Sequence, residues 1–266
     1  MAAVETVLSR ARAAGRPSLV TYVTGGIRAD WTDLLAAMID AGADAVEIGL
    51  PFSDPMLDGP VIQQASATAI GRGATTATIL GQLRAGAGGG VPLIAMAYAN
   101  HACGRGPDRY CRELADAGFS GTIVPDLPLG EAGEYLAAAD AAGLDATLMV
   151  SPATPSEQLR RIADRSRGFL YVMSVMATTG TTRAGDDAGR WAVAARARRH
   201  SPRPVLIGFG IDTPGRAAAA ARGADGVIVA SALMRRVLDG ATAADIGRDV
   251  AGLRAAIDEA ARCGPG

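Results

Sequence analysis

The chain has 266 residues, of which 49% are hydrophobic and only 4% are aromatic. This length is typical of one large α/β domain, and so few aromatic residues mean a core of Ala, Val, Leu and Ile. The formal net charge of -1 provides no basic field for nucleic acid. No apolar run approaches the ~20 residues that span a membrane, so we expect neither a nucleic-acid partner nor a membrane partner.

The three cysteines, Cys103, Cys111 and Cys263, are an odd number without CxxC spacing, and the chain has only two histidines. This pattern argues against a disulfide framework and against a zinc site. Residues 1–15 also lack the apolar core of a signal peptide. The sequence therefore predicts a cytoplasmic protein with reduced thiols and no metal.

Short apolar strands alternate with amphipathic helices along the chain. The predicted strands cover residues 18–23, 45–48, 92–97, 121–124, 145–150, 169–175, 204–207 and 226–229. The predicted helices cover residues 4–13, 31–41, 59–72, 76–85, 109–117, 130–142, 156–165, 190–199, 214–222, 232–238 and 243–261. Glycine ends several of these helices immediately before a strand, as at Gly42, Gly118 and Gly223.

Eight strand–helix units predict a (β/α)₈ TIM barrel, formed as a single domain over residues 1–266 with an extra N-terminal helix. The strands are continuously apolar, as expected when both faces of a parallel sheet are buried. An open doubly wound sheet is the alternative. That fold usually has a Gly-rich turn after its first strand, and residues 24–27 match GxGxxG poorly.

Glu47 interrupts the apolar second strand. Strand alternation puts Ala45 and Glu47 on one side and the bulkier Val46 and Ile48 on the other, so we expect Glu47 to point into the barrel. A carboxyl group there is desolvated, which raises its pKa toward the range of a general acid–base group. The alternative is a structural ion pair.

Two more carboxylates follow Glu47. Asp58 lies at the end of a Pro-containing loop that can fold over the barrel, but its position before Gly59 and Pro60 also suits a helix N-cap. Asp54 is interpreted as a turn residue or a surface contact.

The loops after strands seven and eight predict a phosphate site. Residues 208–211 read Gly-Phe-Gly-Ile, and Ala230 and Ser231 open the next helix. Backbone N–H groups and a helix N-terminus at these two positions commonly hold phosphate in this fold, although simple turns would use the same residues. The polar segment 178–183 after strand six is interpreted as a lid. Several residues near the strand ends could line an apolar pocket for a flat ring, although each of them would also suit the core. They are Tyr22, Met96, Tyr98, Ile123, Tyr171 and Phe209.

Residues 47–60, Glu-Ile-Gly-Leu-Pro-Phe-Ser-Asp-Pro-Met-Leu-Asp-Gly-Pro, resemble the signature of the tryptophan synthase alpha chain family. Further motifs at 22–24, 98–100, 125–128, 208–211 and 231–232 fall in the order and spacing of that family. The resemblance covers essentially the whole chain. It implies a (β/α)₈ lyase that splits indole-3-glycerol phosphate into indole and glyceraldehyde 3-phosphate by a retro-aldol reaction.

The resemblance also implies roles for individual residues. Glu47 matches the acid–base residue, which protonates C3 of the indole ring and assists proton removal from the glycerol hydroxyl. Asp58 matches the carboxylate that hydrogen-bonds the indole N–H. Other residues match the family's indole pocket (Tyr22, Ile123, Tyr171 and Phe209), its phosphate contacts (Gly180, Gly210, Ala230 and Ser231) and its lid (Thr179).

The resemblance implies no cofactor, because pyridoxal phosphate belongs to the beta partner in this family. The loop at Asp54 and Pro55 resembles the surface that docks a beta chain. Two departures from the family pattern stand out: Ala177 and Ala230 occupy positions where the family usually has glycine. The first stiffens the lid hinge and the second brings a methyl group toward the phosphate.

These departures leave the reaction assignment standing but keep open the alternative of a free-standing indole-producing lyase of another pathway. Two further alternatives are a weakly active subunit that activates a partner and a barrel that acts on another phosphorylated substrate.

Overall fold

The computed structural model describes residues 3–87, 89–173 and 187–262. Its strands are β1 (Ser18–Thr24), β2 (Ala45–Gly49), β3 (Leu93–Met96), β4 (Gly121–Ile123), β5 (Asp145–Val150), β6 (Leu170–Met173), β7 (Val205–Gly208) and β8 (Gly226–Val229). Each strand pairs in parallel with the next, and β8 pairs with β1 to close the barrel. The predicted (β/α)₈ barrel is confirmed.

Most of the helices connect successive strands on the outside of the barrel, whereas the first precedes β1 and the last two follow β8. They are α1 (Val4–Ala13), α2 (Trp31–Asp40), α3 (Pro60–Gly71), α4 (Thr76–Gln82), α5 (Ala99–Cys103), α6 (Pro107–Asp116), α7 (Gly133–Ala141), α8 (Ser156–Arg165), α9 (Asp187–Arg198), α10 (Pro214–Gly223), α11 (Ser231–Leu238) and α12 (Ala243–Arg262). The short helix α5 is absent from the sequence prediction, and α4 continues as a π-helical turn over Leu83–Ala87. None of the helices in the described part of the chain is both long and apolar enough to cross a membrane.

The barrel interior has its own small core, which α1 completes at the N-terminal end of the strands. Val4 and Leu8 of α1 pack with strand residues such as Val20, Ile94 and Leu206, and all five are buried. A much larger core lies between the strands and the surrounding helices. Because α1 fills one end of the barrel, the opening toward a ligand lies at the other end, where the strands finish.

Two buried aspartates stabilise the closed end of the barrel. Asp44 precedes β2 and accepts a hydrogen bond from the backbone N–H of Leu19 at 2.8 Å, and it pairs with Arg16 and with Arg254. Asp225 precedes β8 and in the same way accepts from the N–H of the neighbouring strand β7 at 2.9 Å. A carboxylate that is hydrogen-bonded and paired in this way fixes the register of adjacent strands.

Candidate active site

Glu47 lies on the inside of the barrel near the C-terminal end of β2. Its side chain is only 1% exposed, whereas the neighbouring Val46 and Ile48 pack outward against the helices. The orientation predicted from strand alternation is therefore confirmed. Among the described residues, the Oε1 atom of Glu47 has no hydrogen-bond partner. Burial raises the pKa of Glu47 to about 8, because a charged carboxylate cannot be hydrated there.

Asp58 reaches the same place from the loop between β2 and α3. The N-cap position of α3 is occupied by Gly59, so Asp58 is not its N-cap residue. The Asp58 carboxylate instead accepts a hydrogen bond from the hydroxyl of Tyr98 at 3.0 Å. Burial raises the pKa of Asp58 to about 6, and the hydrogen bond from Tyr98 limits that rise by favouring the charged form.

Tyr98 holds the loop in place through a second contact. Its hydroxyl oxygen accepts a hydrogen bond from the backbone N–H of Leu57 at 3.1 Å, and its ring stacks on Phe52 with centroids 5.2 Å apart. One side chain after β3 thus fixes both the backbone and the carboxylate of the loop. The sequence indicated Tyr98 only as a possible lining residue, because the partner of its hydroxyl is 40 residues away.

Glu47 and Asp58 line one small, partly open cavity of about 40 Å³. Its other lining residues are Tyr22, Leu57, Ile62, Met96, Tyr98, Pro125, Met149, Tyr171, Phe209 and Ala230. The lining is apolar apart from the two carboxyl groups and the tyrosine hydroxyls. A cavity of this volume holds a water molecule or two and is far smaller than a typical ligand pocket.

Two strand-end glycines make room for the tyrosines. A Cβ atom at Gly49 would lie 1.8 Å from the hydroxyl oxygen of Tyr22, and one at Gly208 would lie 2.4 Å from that of Tyr171. Both rings therefore lie across the end of an adjacent strand. Burial raises the pKa of both tyrosines, so their hydroxyls stay protonated at neutral pH.

The loop after β7 has an unusual backbone. Phe209 has φ +72°, which is rare for a residue other than glycine, and Gly210 follows with φ +73°. The Phe209 ring packs edge-on against Tyr171 with centroids 6.1 Å apart. Backbone strain of this kind is concentrated at functional sites. It aims an aromatic ring at the cavity and leaves the backbone of Gly210 free of side-chain bulk.

The remaining predicted site residues divide into three groups. Ala230 lines the cavity and is the N-cap residue of α11, whose first residue is Ser231. Ile123 packs in the interior core beside Tyr171 and does not line the cavity. Thr179 and Gly180, with the rest of the predicted lid at 178–183, lie outside the described residues. Nor does the described part of the chain hold a group of three or more His, Cys, Asp or Glu side chains placed to bind a metal ion.

The chain matches one protein family over nearly its whole length. The family model described as Tryptophan synthase alpha chain matches residues 8–260. The tryptophan synthase alpha chain of Geobacter sulfurreducens is 40% identical over 248 residues, which cover 92% of this chain and 93% of that protein. The chain belongs to the tryptophan synthase alpha chain family.

Other members of the tryptophan synthase alpha chain family are similar to this chain in sequence and in structure. The alpha chain of Acidothermus cellulolyticus is 43% identical over 246 residues, which cover 90% of each protein. The crystal structure of tryptophan synthase subunit alpha from Legionella pneumophila str. Paris has 30% identity and a TM-score of 0.88, covering 97% of this chain and 99% of that one. The alpha chain cleaves indole-3-glycerol phosphate to indole and glyceraldehyde 3-phosphate, so this chain is a carbon–carbon lyase of tryptophan biosynthesis.

The burial of Glu47 predicts a stability that falls as the pH rises. Below the ordinary pKa of 4.5 the carboxyl is protonated in both the native and the unfolded chain, and nothing is lost. Between that value and about 8, the unfolded chain releases a proton that the native chain keeps. The free energy of unfolding therefore falls by about 1.4 kcal/mol for each pH unit in this range. Glu47→Gln cannot ionise, so its free energy of unfolding relative to the parent should rise between pH 5 and pH 8.5 in urea titrations.

The matched control is Glu259→Gln, a carboxyl-to-amide change at an exposed position of α12. Its difference from the parent should stay within about 0.5 kcal/mol throughout. Parallel curves for the parent and Glu47→Gln would show that the native chain does not hold this proton.

Proposed function

We propose that Glu47 is the acid–base group of the cleavage and that Asp58 is its fixed anion. The observation that supports this assignment best is the Glu47 carboxyl itself, buried in the cavity with an oxygen that has no partner among the described residues. An unsatisfied buried carboxyl costs stability, and such groups are retained where chemistry needs them.

In the cleavage step, Glu47 gives its proton to C3 of the indole ring. The bond between C3 and the glycerol carbon then breaks, its electrons return to the ring, and the hydroxyl on that carbon loses a proton as the aldehyde forms. The same carboxylate takes up this proton, so Glu47 ends the step as it began. A pKa of about 8 keeps the group protonated at neutral pH and still able to exchange its proton.

Asp58 stabilises the positive charge that this step creates on the indole ring. Protonation at C3 leaves positive charge on the indole nitrogen, and a carboxylate that accepts its N–H stabilises that charge. With a pKa of about 6, Asp58 is ionised at neutral pH while Glu47 is not. The two carboxyl groups therefore divide the work because Glu47 is the more deeply buried and only Asp58 accepts a hydrogen bond from Tyr98.

The rest of the substrate is assigned to the surrounding residues. The ring lies among Tyr22, Tyr171 and Phe209, all of which line the cavity, with Ile123 supporting Tyr171 from the core. The phosphate is assigned to the backbone at Gly210, Ala230 and Ser231. Gly210 has a positive φ and no side chain, and α11 begins at Ser231, where the first N–H groups of a helix lack intrahelical partners. Gly180 and Thr179 complete the phosphate site and the lid in this proposal.

Substitution of each carboxylate tests the assignment. Glu47→Gln and Asp58→Asn should each lower kcat for indole formation at least ~100-fold, because one removes the proton donor and the other the countercharge. The measurement is steady-state release of indole from indole-3-glycerol phosphate by the pure chain. Asp54→Asn, an exposed carboxylate on the same loop, is the matched control. Activity near the parent value in both test variants would refute the assignment.

The pH profile tests the division of labour. Asp58 must be ionised and Glu47 protonated, so kcat/KM should rise through about pH 6 and fall above about pH 8. Tyr98→Phe removes the hydrogen bond that lowers the pKa of Asp58 and should move only the acidic limb to higher pH. A uniform loss of rate with both limbs unmoved would mean that Tyr98 only holds the loop.

We also propose that the loop at Asp54 and Pro55 docks a tryptophan synthase beta chain in the cytoplasm. Met56 on this loop is 74% exposed, and apolar side chains that protrude in this way often mark a protein interface. The same loop carries Asp58, so a partner that holds the loop also positions the anion. The methyl group of Ala230 beside the phosphate site supports the alternative of a free-standing lyase.

Addition of a purified beta chain distinguishes the two. A docked alpha subunit should gain at least ~10-fold in indole-3-glycerol phosphate cleavage, and Met56→Asp should abolish the gain while sparing the rate without partner. A chain that is fully active alone and gains nothing would be the free-standing lyase. The readout is the cleavage rate against beta-chain concentration, with complex formation followed by analytical ultracentrifugation.

A further inference from the structure

A second, larger chamber of about 440 Å³, half open to solvent, adjoins the catalytic cavity. Its walls come from the segments that follow β4 and β5 and from α8. Leu57, Pro125 and Met149 line both the chamber and the catalytic cavity. These three residues therefore form the wall between the two spaces.

Of the three wall residues, Met149 changes conformation most readily. Pro125 is rigid, and the backbone of Leu57 is held by the Tyr98 hydroxyl. Met149 is an unbranched, half-buried side chain on β5, next to Tyr171 in the barrel register. Methionine fills irregular gaps and changes rotamer readily. Met149 is thus the residue whose movement would join the chamber to the catalytic cavity.

The chamber is suited to an apolar occupant. Its lining is mostly aliphatic and includes Val124, Leu127, Leu129, Leu148 and Ile162. Two of its polar side chains are already engaged. Asp126 accepts a hydrogen bond from the N–H of Ala99 at 2.8 Å, and Thr154 accepts one from the N–H of Ser151 at 2.9 Å. The described lining includes no Lys or Arg that would attract an anion.

We propose that this chamber receives apolar substituents on the benzo ring of the indole, and that Met149 controls their entry. The inference rests on the proposed function, because the ring must bind between Glu47 and Asp58 for a substituent to reach the wall. The substrate class is that of indoles and indole-3-glycerol phosphates bearing methyl or halogen groups. The chamber is much larger than such a group, so the wall sets the size limit.

The test uses the reverse reaction, in which glyceraldehyde 3-phosphate condenses with indole or with indoles methylated, chlorinated or brominated at positions 4 to 7. For at least one ring position, Met149→Ala should raise the ratio of kcat/KM for the substituted indole to that for indole about tenfold. Gln158→Phe, which fills the chamber from the exposed face of α8, should lower this ratio for the largest substituents.

Met96→Ala is the matched control, because Met96 lines the catalytic cavity but not the chamber. It should change the rates with substituted and plain indole by the same factor. Met149→Leu, which conserves volume, covers the case in which the alanine variant does not fold, and should keep the parent ratio. In crystals with the preferred bromoindole, the anomalous signal of bromine should lie in the chamber.

The outcomes separate the two proposals. If the parent does not condense unsubstituted indole, the proposed function fails. If it condenses indole but Met149→Ala shifts no ratio beyond the Met96→Ala control, or if bromine lies elsewhere, the chamber is not a substituent site.

Discussion

In the proposed mechanism, Glu47 links the chemistry of this protein to its architecture, because the barrel keeps this carboxyl group out of water. The strand that carries Glu47 is buried on both faces, and the residues on either side of it pack against the helices. A carboxyl placed there is protonated by default and therefore an acid at neutral pH. The same burial that costs stability at Glu47 is what suits this residue to its proposed role.

The loop after β2 gives the second carboxylate a different environment. Asp58 comes from a segment with exposed neighbours, and its charge is stabilised by one hydroxyl group. Two groups of the same chemical type thus differ in pKa by about two units. This difference needs no metal and no neighbouring cation; it follows from where each chain segment lies relative to water.

The sequence was sufficient for the strand order, the inward direction of Glu47 and the position of the loops after β7 and β8, because these follow from local periodicity and from the geometry of the fold. It did not reveal the role of Tyr98 or the helix α5. Tyr98 acts through a contact across 40 residues, and α5 has only five residues. The helical cap that Asp58 suggested was wrong, since the N-cap of α3 is Gly59.

Other parts of the site could not be predicted from periodicity either, because they depend on contacts between residues far apart in the sequence. The fit of Tyr22 over Gly49, and of Tyr171 over Gly208, depends on ring positions between adjacent strands. The wall formed by Leu57, Pro125 and Met149 joins three separate segments. Long-range packing of this kind arises only when the barrel is closed.

Closure also has a consequence for how the chain is made. β1 pairs with β8, so the first strand to leave the ribosome lacks one neighbour until the last strand has been synthesised. The aspartate that anchors β7 precedes β8 and arrives equally late. Until then, β1 presents an unpaired edge and α1 has no complete barrel to fill. The edge of β1 therefore stays unpaired until β8 has been made, and α1, the helix directly before β1, already lies beside that strand in the chain.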